Sequence, residues 1–259
     1  MFSLYDGNMK KVSKFLVVFP LFGLVGLTTG CDHPSAYFDP NTKFIKGEEI
    51  IKFNSLEEDS KVMYISNNYS NNGMFASYWS KERVRYQDGV GYLSIVDTED
   101  RNYGAEIRAI DRQYLYGYYG ARMKVFKHSG TVQSLFTYNG GQYYEWDEID
   151  IEFLGKDTTG VQFNYYSDGK GDHEHWHKLG FDASEDFHDY GFKWEENKIT
   201  WFVDFVPVYA SDATLNQWGH FMANVWASKS HMSWWTGSYS PTDTPLETAY
   251  EYLCYAPLE

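Results

Sequence analysis

An all-β chain is predicted: a β-sandwich of jelly-roll type in which two antiparallel sheets pack face to face. Three observations carry this. Short runs of alternating apolar and polar residues recur, bounded by Gly, Asn and Asp. No amphipathic helix competes with them. Ten such runs in a chain of 259 residues call for two packed sheets in a single domain.

The N-terminal element stands outside the fold. Lys10, Lys11 and Lys14 form a basic start to "FLVVFPLFGLVGL" (Phe15–Leu27), the pattern of an export signal, and Met9 is an alternative start. That run is short of the roughly 20 apolar residues a spanning helix needs. It ends in "LTTGC", small residues before Cys31, as in the lipobox of bacterial lipoproteins, although Leu27 lies one place further from the Cys than usual. Lipidation at Cys31, with attachment to a membrane, and ordinary cleavage near Gly30 both stay open. Either one exports the protein, to a bacterial cell envelope or as a secreted product. Cys31 and Cys254 are the only cysteines, so a lipidated Cys31 leaves no disulfide.

Residues 1–31 are thus a signal segment and residues 32–52 read as a polar tether. Residues 53–259 show no linker, composition shift or fixed-period repeat, so they form one domain, expected to act as a monomer. Its strands follow in order as "VGYLSIVDT", "YGAEIRAI", "YGARMKVF", "TVQSLFTY", "DEIDIEFL", "GVQFNYYS", "DYGFKWEE", "KITWFVDF", "HFMANVWA" and "AYEYLCY". Trp194 and Trp201 fall in two of these without a motif around them and read as core. The net charge of −14 excludes nucleic acid, whose phosphates need a basic surface. Aromatics at 19% of the chain, rich in Tyr and Trp, suit either cross-strand packing or a surface on which flat rings stack.

One stretch carries chemistry. "YEWDEIDIEFLG" (Tyr144–Gly155) places Glu145, Asp147, Glu148, Asp150 and Glu152 within eight positions. Side chains alternate between the faces of a strand. Asp147, Ile149, Ile151 and Phe153 therefore share one face, where the apolar residues enter the core. Trp146, Glu148, Asp150 and Glu152 share the other, with the acids about 6.6 Å apart at Cα. Such a row repels itself, but crowding raises carboxyl pKa values, so that one acid keeps its proton while a neighbour is ionised. Glycoside cleavage needs that division of labour. Glu148 and Glu152 lie roughly 13 Å apart at Cα. Side chains leaning inward reach the separation of a retaining pair, and spacing alone leaves an inverting pair open. Asp150, between them, is placed to hydrogen-bond one and hold the proton on the other.

"WDEIDIEFLGKDT" followed by "VQFNYY" resembles the bacterial lichenases, the 1,3-1,4-β-glucanases of glycoside hydrolase family 16, from about Phe53 to the C-terminus. The uninterrupted E-x-D-x-E form matches lichenases and xyloglucan transglycosylases, whereas laminarinases insert a residue before the last Glu. The resemblance implies a curved jelly roll with a substrate cleft on its concave face. It also implies internal cleavage of β-1,4 bonds in mixed-linkage glucan by double displacement, with no catalytic cofactor. By position Glu148 matches the nucleophile, Glu152 the acid/base, Asp150 the assisting carboxylate and Trp146 a ring at the cleavage site. Substrate contacts carry over to Tyr69 and Asn71, to Glu106 and Arg108, and to Phe136 and Tyr138. They continue with Gln162, Asn164 and Tyr166, with Asn224 and Trp226, and with Trp235. Strand parity agrees for three groups: Gln162, Asn164 and Tyr166 share a face, as do Glu106 and Arg108, and Met222, Asn224 and Trp226.

Two departures stand out. The positions of the lichenase disulfide read Ser77 and Gly104, and the family's Ca²⁺-binding Asp reads Glu251, a candidate ligand for a structural Ca²⁺. "DHEHWH" (Asp172–His177) follows a turn signal and reads as a solvated loop rather than a Zn²⁺ site. A hydrolase or transglycosylase acting on xyloglucan or another β-glucan is the alternative function. A non-catalytic glucan-binding protein fits less well, because all three acids are present.

Overall fold

The computed structural model describes residues 42–110, 114–140 and 146–258. The signal segment, Cys31, the first part of the tether and Glu145 lie outside the described residues. In chain order the strands are β1 (Glu48–Ile51), β2 (Met63–Ile65), β3 (Tyr78–Trp79), β4 (Val84–Gln87), β5 (Val90–Asp97), β6 (Asn102–Ala109), β7 (Gly117–Lys124) and β8 (Thr131–Tyr138). They continue with β9 (Glu148–Leu154), β10 (Gly160–Tyr166), β11 (His175–Lys178), β12 (His188–Glu195), β13 (Lys198–Val203), β14 (Val206–Asp212), β15 (His220–Ala227) and β16 (Leu246–Pro257). Among the described residues helix is confined to short pieces such as α1 (Leu56–Asp59) and α2 (Ser233–Thr236).

The predicted all-β class holds. One layer runs β11-β10-β9-β8-β15-β6, with β2 beyond β6. The other runs β5-β16-β7-β12-β13-β14. They are not separate sheets: β5 and β6 pair at Val96↔Tyr103 and Asp97↔Asn102, so a single curved sheet folds over on itself. Every described strand pairing is antiparallel except β3 with β6.

Between the layers lies the core. Ile149, Ile151 and Phe153 of β9 and Val161 and Phe163 of β10 are fully buried there, as parity requires. Trp194 and Trp201 are core as expected. From β13, Trp201 Nε1 donates to the Asp150 carbonyl oxygen at 3.1 Å, so the opposite layer braces the acidic strand β9 from behind.

Two local readings change. The segment read as a tether contains structure: β1 pairs with the far half of β16 (Glu48↔Tyr255, Ile51↔Leu253) and Ile51 is buried, so the domain begins before Phe53. Upstream of β1, Phe44 lies on the outer face of the back layer, edge-on to Tyr118 and Phe202 at 5.5 and 5.4 Å. Its ring occupies a slot floored by Gly120 and Gly191, where a Cβ would come within 2.8 and 2.6 Å.

The histidine segment is the second change. Residues 175–178 form the edge strand β11, and the three histidines stack on core-side rings: His173 on Tyr165 at 3.9 Å, His175 on Tyr209 at 3.7 Å and His177 on Phe163 at 5.9 Å. Burial lowers the pKa of His175 and His177, so they cap the sheet edge as neutral rings.

The reading of Ser77 and Gly104 as the positions of an absent disulfide stands, and the two face each other: a Cβ on Gly104 would sit 3.0 Å from that of Ser77. In place of a crosslink, Ser77 Oγ donates to Asn102 Oδ1 at 2.5 Å and accepts the Ala227 N–H at 2.8 Å. This buried network joins the loop before β3 to β6 and β15 without leaving a polar group unpaired.

Candidate active site

The ladders around β9 set three rows across one face of the front layer. The first holds Tyr166, Glu148, Tyr138 and His220; the second holds Asn164, Asp150, Phe136, Met222 and Arg108. The third holds Trp176, Gln162, Glu152, Ser134, Asn224 and Glu106. Eleven of the expected site residues therefore share one floor, because antiparallel partners keep their parity from strand to strand.

Each acid has its own environment. Trp146, stacked on Tyr166 at 4.6 Å, donates Nε1–H to Glu148 Oε2 at 2.7 Å. Gln162 donates Nε2–H to Glu152 Oε2 at 2.8 Å, and its own oxygen accepts from Trp235 Nε1 at 3.0 Å. Burial raises all three carboxyl pKa values. Glu152 is pushed up to about 8 by desolvation and by the charges of Glu148 and Glu174, against the Gln162 donor. Glu148 is pushed up by desolvation to only about 7, because Trp146 and Asp150 hydrogen-bond its charged form. Asp150 is raised well above its ordinary value by burial and by the flanking Glu148 and Glu152. Asp150 thus holds a proton that it shares with Glu148, leaving Glu148 the more readily ionised glutamate and Glu152 the better proton donor.

Folding traps protons that ordinary unfolded carboxylates release. The stability this represents is fully present below about pH 4.5 and is lost as pH rises through about 7 and 8, where Glu148 and Glu152 ionise. Thermal melts are expected to give a lower Tm at pH 8.5 than at pH 5. Glu152→Gln is expected to flatten that slope, and an unchanged slope in the variant would overturn this account of the acids.

At the β6 end of the floor, Glu106 is buried and accepts from Ser66 Oγ at 2.7 Å, Tyr69 OH at 3.3 Å and Asn224 Nδ2 at 3.3 Å. Trp226 is only 3% exposed. With Phe75, at 4.2 Å, and Trp235, at 6.1 Å, it builds a wall rather than an open platform. Asn71 stands off the floor, accepting from Trp79 Nε1 at 3.1 Å.

The calcium expectation does not fit. Glu251, on the back layer, accepts from Arg122 Nε at 2.8 Å, and a guanidinium there neutralises the carboxylate that a dication would need. Among the described residues no group of three or more His, Cys, Asp or Glu is placed to hold a metal.

Asp147 is a functional residue that the parity argument located without explaining. It points inward beside Ile149 and is 6% exposed. One carboxylate oxygen accepts the N–H groups of Asn216 and Gln217 at 2.8 and 3.0 Å, and the other that of Asp168 at 3.1 Å. It pins two loops to the start of β9. An inward acid demands such donors, and that demand was the available signal.

Known proteins share this sequence and fold. A protein of Brevibacillus brevis named beta-glucanase is 42% identical over 198 residues, 74% of this chain and 75% of its own. A prokaryotic beta-1,3-1,4-glucanase (lichenase) from a mouse hindgut metagenome superposes with a TM-score of 0.75 at 40% identity, covering 80% of this chain and 97% of its own. The beta-glucanase of Bacillus licheniformis gives 0.76 at 36%, covering 84% and 100%. Residues 71–252 match the glycosyl hydrolases family 16 pattern, and with the fold and the acidic row in place the chain belongs to that family.

Proposed function

We propose that this protein is an exported endo-β-glucanase that cuts β-1,4 bonds in mixed-linkage 1,3-1,4-β-glucan and retains the anomeric configuration. The observation that carries the reading is the row Glu148–Asp150–Glu152, with a donor on each glutamate and the assisting acid between them. The names of the relatives support the substrate.

In the first step Glu148 attacks the anomeric carbon while Glu152 gives its proton to the departing glycosidic oxygen. The sugar is then held as an ester on Glu148, and Asp150 stays protonated against the carboxyl throughout. In the second step Glu152, now ionised, takes a proton from water, which attacks the same carbon and frees Glu148. Two inversions give net retention. Export rests on the N-terminal signal pattern, with Cys31 as the lipid attachment point if the lipobox is used.

Reducing-end release by the purified protein should be compared on barley β-glucan, lichenan, laminarin and xyloglucan. Activity confined to the first two is expected. Activity mainly on laminarin or xyloglucan would keep the mechanism and overturn the specificity.

A further inference from the structure

Most aromatic side chains at this site are packed into walls. Trp176 is not. It lies on β11, the edge of the front layer, and is 42% exposed. Its register partner is Gln162, whose own partner is Glu152, so Trp176 closes the third row of the floor, two strands from the acid/base. Two strand spacings amount to about 10 Å, or roughly two pyranose rings, beyond the catalytic strand.

The ring rests on the sheet because its neighbour has no side chain: a Cβ on Gly160 would fall 2.3 Å from Trp176 Cζ2. One side of the indole is therefore backed by the β10 backbone and the other is open. Glu174, just ahead of β11, is exposed, and its charge acts on Asp150 and Glu152, so it lies near the same acids. An indole face with a carboxylate beside it suits a sugar, whose C–H face stacks while its hydroxyls donate.

We infer that Trp176 is a specificity-determining platform at the β11 end of the cleft. It stacks one glucose residue of a long glucan chain that has already crossed the catalytic strand. The inference rests on the glucanase reading of the site. The occupant is the substrate chain itself, since the platform continues the row that contains Glu152.

The test compares wild type, Trp176→Ala and Trp176→Phe on mixed-linkage oligosaccharides of increasing length and on barley β-glucan, with Tm measured for each. The wild-type to Trp176→Ala ratio of kcat/KM is expected to rise about 3–10-fold between the shortest cleaved oligosaccharide and the polymer. Trp176→Phe should restore most of that difference, since a ring still stacks. A ratio constant with chain length would overturn the inference and leave Trp176 as a cover for Gly160, whether or not Tm falls. Wild-type protein inactive on every glucan would instead sink the glucanase reading itself.

Discussion

Glu148→Gln is expected to lower kcat on β-glucan by about 10,000-fold or more while the protein stays folded and still binds the polymer. The amide is close in shape to the carboxylate, keeps contact with Trp146 Nε1–H through its oxygen and cannot form the glycosyl ester. The same change removes a charge from a row whose members raise one another's pKa. A gain of about 1 kcal/mol in stability near pH 8 is therefore expected. Steady-state rates, affinity electrophoresis in glucan gels and thermal melts read the three parts separately. Full activity in the variant would remove Glu148 from the nucleophile role.

Glu152→Gln should fail differently. Loss of the general acid is expected to cost about 100- to 10,000-fold on glucan, whose leaving oxygen must be protonated. Aryl β-glucan oligosaccharides with acidic phenol leaving groups should lose much less in the first step. The pH profile separates the roles further: the fall in wild-type activity on the alkaline side belongs to Glu152, raised to about 8, and should vanish in the variant. If the alkaline fall persisted, another group would have to be the acid.

Legibility in the sequence followed the range of the interactions. The acidic row could be read because a strand has a period of two and β9 obeys it through Ile149, Ile151 and Phe153. Gln162, Asn164 and Tyr166 fell into place because β10 pairs with β9 in register. Tyr69 and Asn71 were not readable from local pattern; their loop is tied to the floor through Ser66, which bonds Glu106 forty positions away. The role of Asp147 hid for the same reason, since its partners Asn216 and Gln217 lie 69 and 70 positions downstream. Charged "EEII" masked β1, which is held by a partner strand at the other end of the chain. The histidines misled because alternation beside a turn signal is also what a short edge strand looks like once aromatic rings cover one side of it.

Phe44 and β1 also cover part of the back layer that would otherwise lie open. Along one side of β16, β5 pairs as far as Tyr250, and β1 takes over from Leu253 to Tyr255. A chain shortened to start at Phe53 would leave those amide and carbonyl groups bare beside an emptied glycine slot. An unpaired strand edge is a template for another chain. The upstream segment covers that template, and a shortened form that begins ahead of Phe44 is expected to stay more soluble than one that begins at Phe53.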